Sequence, residues 1–166
     1  MSRRSILGSV AAAAALAVVL VPVGRTLADG LTLSPIKDPV VAKECSACHM
    51  LYPAGLLPAR SWTAMMGGLE NHFGDNAELD AEVTKQITSY LTANAADAGR
   101  GGGKIMRDVP QSVTPVRITD LPYFKRKHDK KDRISPATLK RRGAKFPGDC
   151  VACHKEAAKG YFDDDD

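Results

Sequence analysis

The sequence predicts a mainly α-helical fold with long irregular loops. Three observations carry that prediction. Apolar residues recur at three- and four-residue spacing over 58–73 and again over 80–95. Two further segments open on helix-start signals, Asp120-Leu121-Pro122 and Ser135-Pro136. No stretch alternates apolar and polar residues well enough to read as a strand.

In chain order, residues 1–28 read as a secretory signal. Arg3 and Arg4 form its basic start, Ile6 to Val21 its apolar run, and Thr26-Leu27-Ala28 a small-residue cleavage signal before Asp29. An uncleaved membrane anchor is the competing reading. The run reaches about 18 residues only if Pro22 and Val23 are counted, a borderline length for spanning, and Gly8, Ser9, Pro22 and Gly24 weaken it. The 138 residues from Asp29 to Asp166 are near the size of one domain. In the first helix, Pro58 to Phe73, Trp62, Met65, Met66, Leu69 and Phe73 share a face, and Gly74 closes it. The second helix runs from Asp80, a capping residue, to Ala95 and carries the stripe Val83, Ile87, Tyr90, Leu91. The glycines of 99–103 make a linker that divides the chain into halves, 29–99 and 100–166. Gly101-Gly102-Gly103-Lys104 matches a phosphate loop only superficially, because Ile105 stands where Ser or Thr is required. Residues Val109 to Thr119 are broken by proline and read as a loop wrapped over the surface. Asp120 caps a short helix with Pro122 in its first turn; Ser135 caps another that Gly143 ends; Asp149 caps a last one beginning at Cys150.

The formal charge of +4 does not describe a nucleic-acid binder. Removal of Arg3, Arg4 and Arg25 with the signal leaves 20 basic against 19 acidic residues, a net of +1. The charge is divided instead. Residues 29–99 hold 4 basic and 9 acidic residues, residues 100–166 hold 16 and 10, and 125–145 alone holds 10 and 2. Such polarity orients encounters with charged partners.

The four cysteines fall in two copies of one motif, Cys45-Ser46-Ala47-Cys48-His49 and Cys150-Val151-Ala152-Cys153-His154. C-x-x-C-H is the attachment signature of c-type haem. Two thiols three positions apart on one helical turn reach the two vinyl groups, and the adjacent imidazole swings under the ring to bind iron. Two disulfides, a thiol redox pair and a zinc site use the same atoms, but none of them explains why His follows both pairs. The expectation is therefore a small cytochrome c-like helical fold built around two covalent haem c groups. Cys45, Cys48, Cys150 and Cys153 form the thioethers, and His49 and His154 are axial iron ligands. Haem is attached to an unfolded chain after export. The general secretory route, and hence the periplasm, is preferred over the twin-arginine route suggested by Ser2-Arg3-Arg4, which carries folded cargo.

Two six-coordinate irons need two further ligands, and two histidines remain, His72 and His128. His72 shares the apolar face of the first helix with Leu69 and Met65, where a haem packs; a buried core histidine is the alternative. His128 sits in Lys125-Arg126-Lys127-His128-Asp129-Lys130-Lys131, a setting typical of a solvated residue, and the ligand count raises it to a candidate. Met50 is too close to His49 to reach the opposite face, Met65 and Met66 read as core filler, and Met106 stays a candidate. Sequence proximity pairs His49 with His72 and His154 with His128, and spacing leaves the crossed arrangement open.

At these residues the chain resembles the bacterial diheme cytochrome c family often called DHC. The resemblance rests on Cys45 to Asn76, with Tyr-Pro-Ala-Gly-Leu-Leu-Pro-Ala-Arg-Ser-Trp at 52–62 and Asn-His-Phe-Gly-Asp-Asn-Ala at 71–77. Tyr90 to Ala95, Arg117-Ile118-Thr119, the basic run ending at His128, and Gly160-Tyr161-Phe162-Asp163 carry it further, over most of 41–163. The resemblance implies bis-His coordination at both haems, with His72 and His128 matching the distal ligands. It also implies a periplasmic electron carrier, fed by a membrane b-type cytochrome and passing electrons to a small oxygen-binding monohaem cytochrome c. Relatives continue past the Phe-Asp segment into a short basic and apolar tail, where this chain reads Asp163 to Asp166.

Iron closed by two imidazoles offers no open position to a substrate, so the expected role is outer-sphere electron transfer and not catalysis. Two alternatives stand beside it. One is an electron-transfer subunit of a periplasmic reductase. The other is a diheme peroxidase or ligand sensor, which needs one open haem. With about 69 residues per haem, each haem is part of the core, and the apo chain is expected to fold poorly.

Overall fold

The computed structural model describes residues 30–99, 103–129 and 133–162. Residues 1–28, expected to be a secretory signal, most of the glycine linker and the acidic end lie outside these residues.

The described residues form five short α-helices, several single 3-10 turns and one two-stranded ribbon, in the order β1 (Leu31–Thr32), α1 (Pro39–Cys45), α2 (Ala59–Met66), α3 (Ala81–Ala93), α4 (Pro122–His128), α5 (Pro136–Arg142), β2 (Tyr161–Phe162). The mainly helical prediction holds. The ribbon was not anticipated, because two residues per strand leave no periodicity to read. It pairs Leu31 with Phe162 and Thr32 with Tyr161 in antiparallel register, and Leu33 N–H donates to the Gly160 carbonyl beside it (2.8 Å).

Helix α1 was also missed. Its signal is Asp38, whose Oδ1 accepts from Val40 N–H (2.8 Å) and Val41 N–H (3.1 Å) ahead of Pro39 in the first turn. The first predicted helix is cut short: α2 stops at Met66, where Gly67 and Gly68 follow. A separate 3-10 turn covers Leu69–Asn71. His72 therefore lies outside the helix, and its shared face with Met65 and Leu69 does not exist. Two consecutive glycines remove both side-chain packing and helical bias, which outweighs the apolar periodicity. The start of α2 has no capping side chain of its own; Asp97, from beyond α3, accepts from Ala59 N–H (2.7 Å). Helix α3 matches its prediction, with Ile87 and Leu91 buried, although Asp80 makes no side-chain cap. Helix α4 begins on Pro122 with Leu121, not Asp120, at the cap position. In α5 the Ser135 cap and the left-handed Gly143 (φ 70°) are as expected. The expected last helix is a 3-10 turn, Cys150–Ala152, and Asp149 turns its carboxylate to Lys145 N–H instead (3.1 Å).

One hydrophobic core takes side chains from both halves: Val41, Leu57, Trp62, Ile87 and Leu91 from the first, Ile105, Leu121 and Phe124 from the second. Leu57, Ile87 and Leu121 are wholly removed from water. Each contributes about 1.5–3 kcal/mol by burial. Trp62 Nε1–H is satisfied by the Ala54 carbonyl (2.8 Å), so the indole is buried without an orphaned donor. The loop after the linker is held down by Arg60, which donates to the carbonyls of Val113 (2.7 Å) and Pro110 (3.0 Å). Among the described residues no helix is long and apolar enough to cross a membrane.

Candidate functional site

Each cysteine motif sits at the end of a short helical segment. Cys45 closes α1, which Asp38 holds at its other end. Cys150 opens the 3-10 turn, where Cys153 N–H (3.1 Å) and His154 N–H (2.7 Å) both donate to the Cys150 carbonyl. Cys150 and Cys153 thus occupy one turn, as the spacing predicts. None of the four cysteines is paired in a disulfide. Burial pushes the Cys150 thiol up to about 11, with Asp149 acting in the same direction, and burial also raises Cys45.

The fold brings the four histidines together in two pairs. The ring centres of His49 and His72 are 6.3 Å apart, with planes 26° from parallel. Those of His128 and His154 are 6.1 Å apart, with planes at 87°. A metal–imidazole bond is about 2 Å and the ring centre lies about 1 Å behind the bonded nitrogen, so two imidazoles sharing one metal have centres about 6 Å apart. Both pairs meet that spacing. The contacts follow the nearest-neighbour pairing in sequence.

The rings are oriented by backbone carbonyls. His49 Nδ1 lies 2.7 Å from the Met50 oxygen, and His128 Nδ1 lies 2.9 Å from the Phe124 oxygen, one helical turn back on α4. A carbonyl only accepts, so in each case Nδ1 carries the proton and Nε2 keeps its lone pair free for a metal. His72 is fixed through its backbone: its N–H donates to Asp75 (2.7 Å) and its carbonyl accepts from Asp75 N–H (3.2 Å). Phe73 takes a left-handed φ of 58° in this tight turn. Burial lowers the His72 pKa, and His49 adds to the effect.

Aromatic side chains surround both pairs. Tyr52 lies 4.8 Å from the His49 ring and Phe73 lies 4.8 Å from His72, with the Arg117 guanidinium 3.9 Å over the Phe73 ring. Phe124 stacks on His128 at 3.9 Å, and Phe162 of β2 meets His154 edge-on at 6.1 Å. Phe124 was findable four residues before His128 on one helix. Tyr52, Arg117 and Phe162 were not, because their roles depend on contacts between distant segments. Burial raises the Tyr52 phenol well above its usual range, and its hydroxyl donates to the Gly148 carbonyl (2.8 Å).

The residues fit a large, flat, mostly apolar group with a metal at its centre. An open cavity of about 300 Å³ runs along the second pair, lined by Cys150, Cys153, His128, His154, Phe124 and Phe162 and rimmed by Lys127, Arg133, Arg141 and Arg142. Apolar side chains beside the motifs are left uncovered by protein: Phe73 is 45% exposed, Phe146 41% and Val151 40%. A bare ion would not cover such surface. Among the described residues no three His, Cys, Asp or Glu side chains converge on one point that could hold an ion by themselves.

Thiol pairs followed by imidazoles, on a small helical fold that leaves an apolar cavity along the second pair and an uncovered Phe73 beside the first, define a c-type haem protein. The family model for dihaem cytochrome c matches residues 41–162, and the chain belongs to that family. It carries two covalently bound haem c groups, and its family is one of electron-transfer cytochromes. Three solved structures are similar. The diheme cytochrome c from Rhodobacter sphaeroides is 51% identical, with 78% of this chain and 99% of that one covered and a TM-score of 0.70. A second structure, DHC purified from Rhodobacter sphaeroides, is 49% identical over 77% of this chain and 99% of that one, with a TM-score of 0.61. The diheme cytochrome type c from Shewanella baltica OS155 is 38% identical over 75% of this chain and 86% of that one, at a TM-score of 0.58. No curated protein matches the chain.

Proposed function

We propose that the protein is a periplasmic electron carrier that works through two bis-His haems and performs no chemical conversion of its own. Cys45 and Cys48 hold one haem and Cys150 and Cys153 the other. His49 and His72 ligate the first iron, His154 and His128 the second. The single observation that carries this reading is the approach of the two imidazole pairs to ring-centre distances of 6.3 and 6.1 Å.

The bound haems supply the reversible one-electron chemistry. The chain's own residues do the rest. The Met50 and Phe124 carbonyls set the imidazole tautomers, and the rings of Tyr52, Phe73, Phe124 and Phe162 pack against the four imidazoles. With His49 and His72 on one iron and His154 and His128 on the other, neither metal would offer a position to a substrate, which would favour outer-sphere transfer and a potential below that of a Met/His cytochrome. Lys127, Arg133, Arg141 and Arg142 around the second cavity would offset the negative propionates of a bound haem. The expected donor is a membrane b-type cytochrome and the expected acceptor a small monohaem cytochrome c, reached after export and signal cleavage.

The test is a visible spectrum of periplasmically matured protein, oxidised and reduced, with and without carbon monoxide. Two haems per chain, low-spin in both states and unmoved by carbon monoxide, is the expected result. His72→Ala and His128→Ala should each make one haem high-spin and open to carbon monoxide. A native high-spin fraction, or a carbon monoxide shift at half the haem, would remove one distal assignment and favour a peroxidase or sensor.

A further inference from the structure

The two sites are joined by one side chain. Tyr52 lies in the segment that follows the first motif, and its ring packs on the His49 imidazole at 4.8 Å. Its hydroxyl crosses to the other half of the chain and donates to the Gly148 carbonyl at 2.8 Å. That carbonyl also accepts from the Cys150 backbone N–H at 2.8 Å and from the Cys150 Sγ at 3.2 Å. The second of these contacts ends when Cys150 becomes a thioether, since the sulfur then has no proton. The Gly148 oxygen is left with two donors, Tyr52 O–H and Cys150 N–H, which suit its two lone pairs. A ligand of the first site and the attachment residue of the second are thus linked by one ring contact and two hydrogen bonds on a shared oxygen.

Space around this link is restricted. A Cβ at Gly148 would stand 3.1 Å from the Phe146 ring and 3.3 Å from the Tyr52 hydroxyl. The absence of a side chain at 148 lets the phenol reach the carbonyl. The hydroxyl, not the ring, makes the connection specific, because a phenylalanine would pack on His49 equally well and reach nothing beyond.

We infer that Tyr52 is a positioning residue for electron exchange between the two haems, holding His49 in fixed register with the Cys150 segment and supplying a bonded route between them. The inference rests on the two-haem reading above. In the exchange one iron loses an electron and the other gains it, while the phenol keeps its proton and is neither oxidised nor reduced. Electronic coupling is greater through bonds and short hydrogen bonds than across gaps, so removal of the hydroxyl slows exchange without altering either ligand set.

The experiment uses the mature two-haem protein and three variants. Tyr52→Phe keeps the ring and removes the hydroxyl; Tyr52→Leu removes both. Tyr90→Phe is the control, since Tyr90 O accepts a comparable bond from Lys37 N–H (3.0 Å) away from either histidine pair. Exchange is read in half-reduced protein from NMR line broadening of the haem methyl signals, and each site's midpoint potential is titrated. The visible spectrum separately checks that both haems are present and low-spin. Exchange slowed several-fold in Tyr52→Phe and at least as much in Tyr52→Leu, with spectra intact and Tyr90→Phe unchanged, supports the assignment. Wild-type exchange in Tyr52→Phe overturns it, as does equal slowing in Tyr90→Phe. Loss of a haem in Tyr52→Phe would also overturn it, by making the role one of packing. If the wild-type spectrum shows an open haem, it is the two-haem electron-carrier reading that fails.

Discussion

Gly160 closes the ribbon that ties the two ends of the described chain, and a single methyl there should open it. Gly160 has φ +88°, where an L side chain is disfavoured by about 1–2 kcal/mol. A Cβ at this position would also fall on the Leu33 carbonyl oxygen, well inside van der Waals contact, and 3.0 Å from its carbon. Backbone cannot swing aside as a flexible side chain can, so β1 and β2 must separate. That forfeits the Leu33 N–H to Gly160 bond and weakens the pairing of Leu31 with Phe162, at roughly 1 kcal/mol per hydrogen bond. Gly160→Ala should therefore lose about 3–5 kcal/mol. The assay is equilibrium urea unfolding of the holoprotein by far-UV circular dichroism, in which the midpoint falls while the slope is unchanged. Because Phe162 meets His154 and not His49, the visible and potentiometric signals of the second haem should shift while those of the first stay put. A loss under about 1 kcal/mol, or equal perturbation of both haems, would refute the reasoning.

Three further outcomes are expected. Frozen-solution electron paramagnetic resonance of the oxidised protein should show two low-spin species in equal amount. The near-parallel rings of His49 and His72 split the iron π orbitals and give a rhombic signal, while the perpendicular rings of His128 and His154 act on both orbitals alike and give a strongly anisotropic one; two identical signals would contradict the ring angles. Asp38→Ala frees the Val40 and Val41 amides at the start of α1 and should cost about 0.5–2 kcal/mol in the same urea assay. Replacing Cys150 and Cys153 by Ala should remove one haem and raise amide hydrogen exchange across 133–159, with little change in α3, because the second cavity loses the group that covers it.

The parts of this protein legible in its sequence are those in which cause and effect lie within one or two turns of chain. The two C-x-x-C-H motifs bring their own geometry, since three- and four-residue spacing places the donors on one turn wherever the segment ends up. The α3 stripe and the Ser135 and Gly143 signals of α5 are equally local. The resemblance added the family, which the matched residues 41–162 bear out. What tertiary structure decided is what depends on segments meeting. His72 was placed on a helix that Gly67 and Gly68 in fact end, and its ring reaches His49 through the turn at Asp75. The approach of the His128 ring to His154 depends on where α4 and the Cys150 turn pack. Asp97 caps α2 from 38 residues away, and Tyr52 spans 96 residues to Gly148. Periodicity carries no trace of such contacts, because it records which face a residue occupies and not what faces it. The composition of each site was therefore written locally, while its closure belongs to the folded chain.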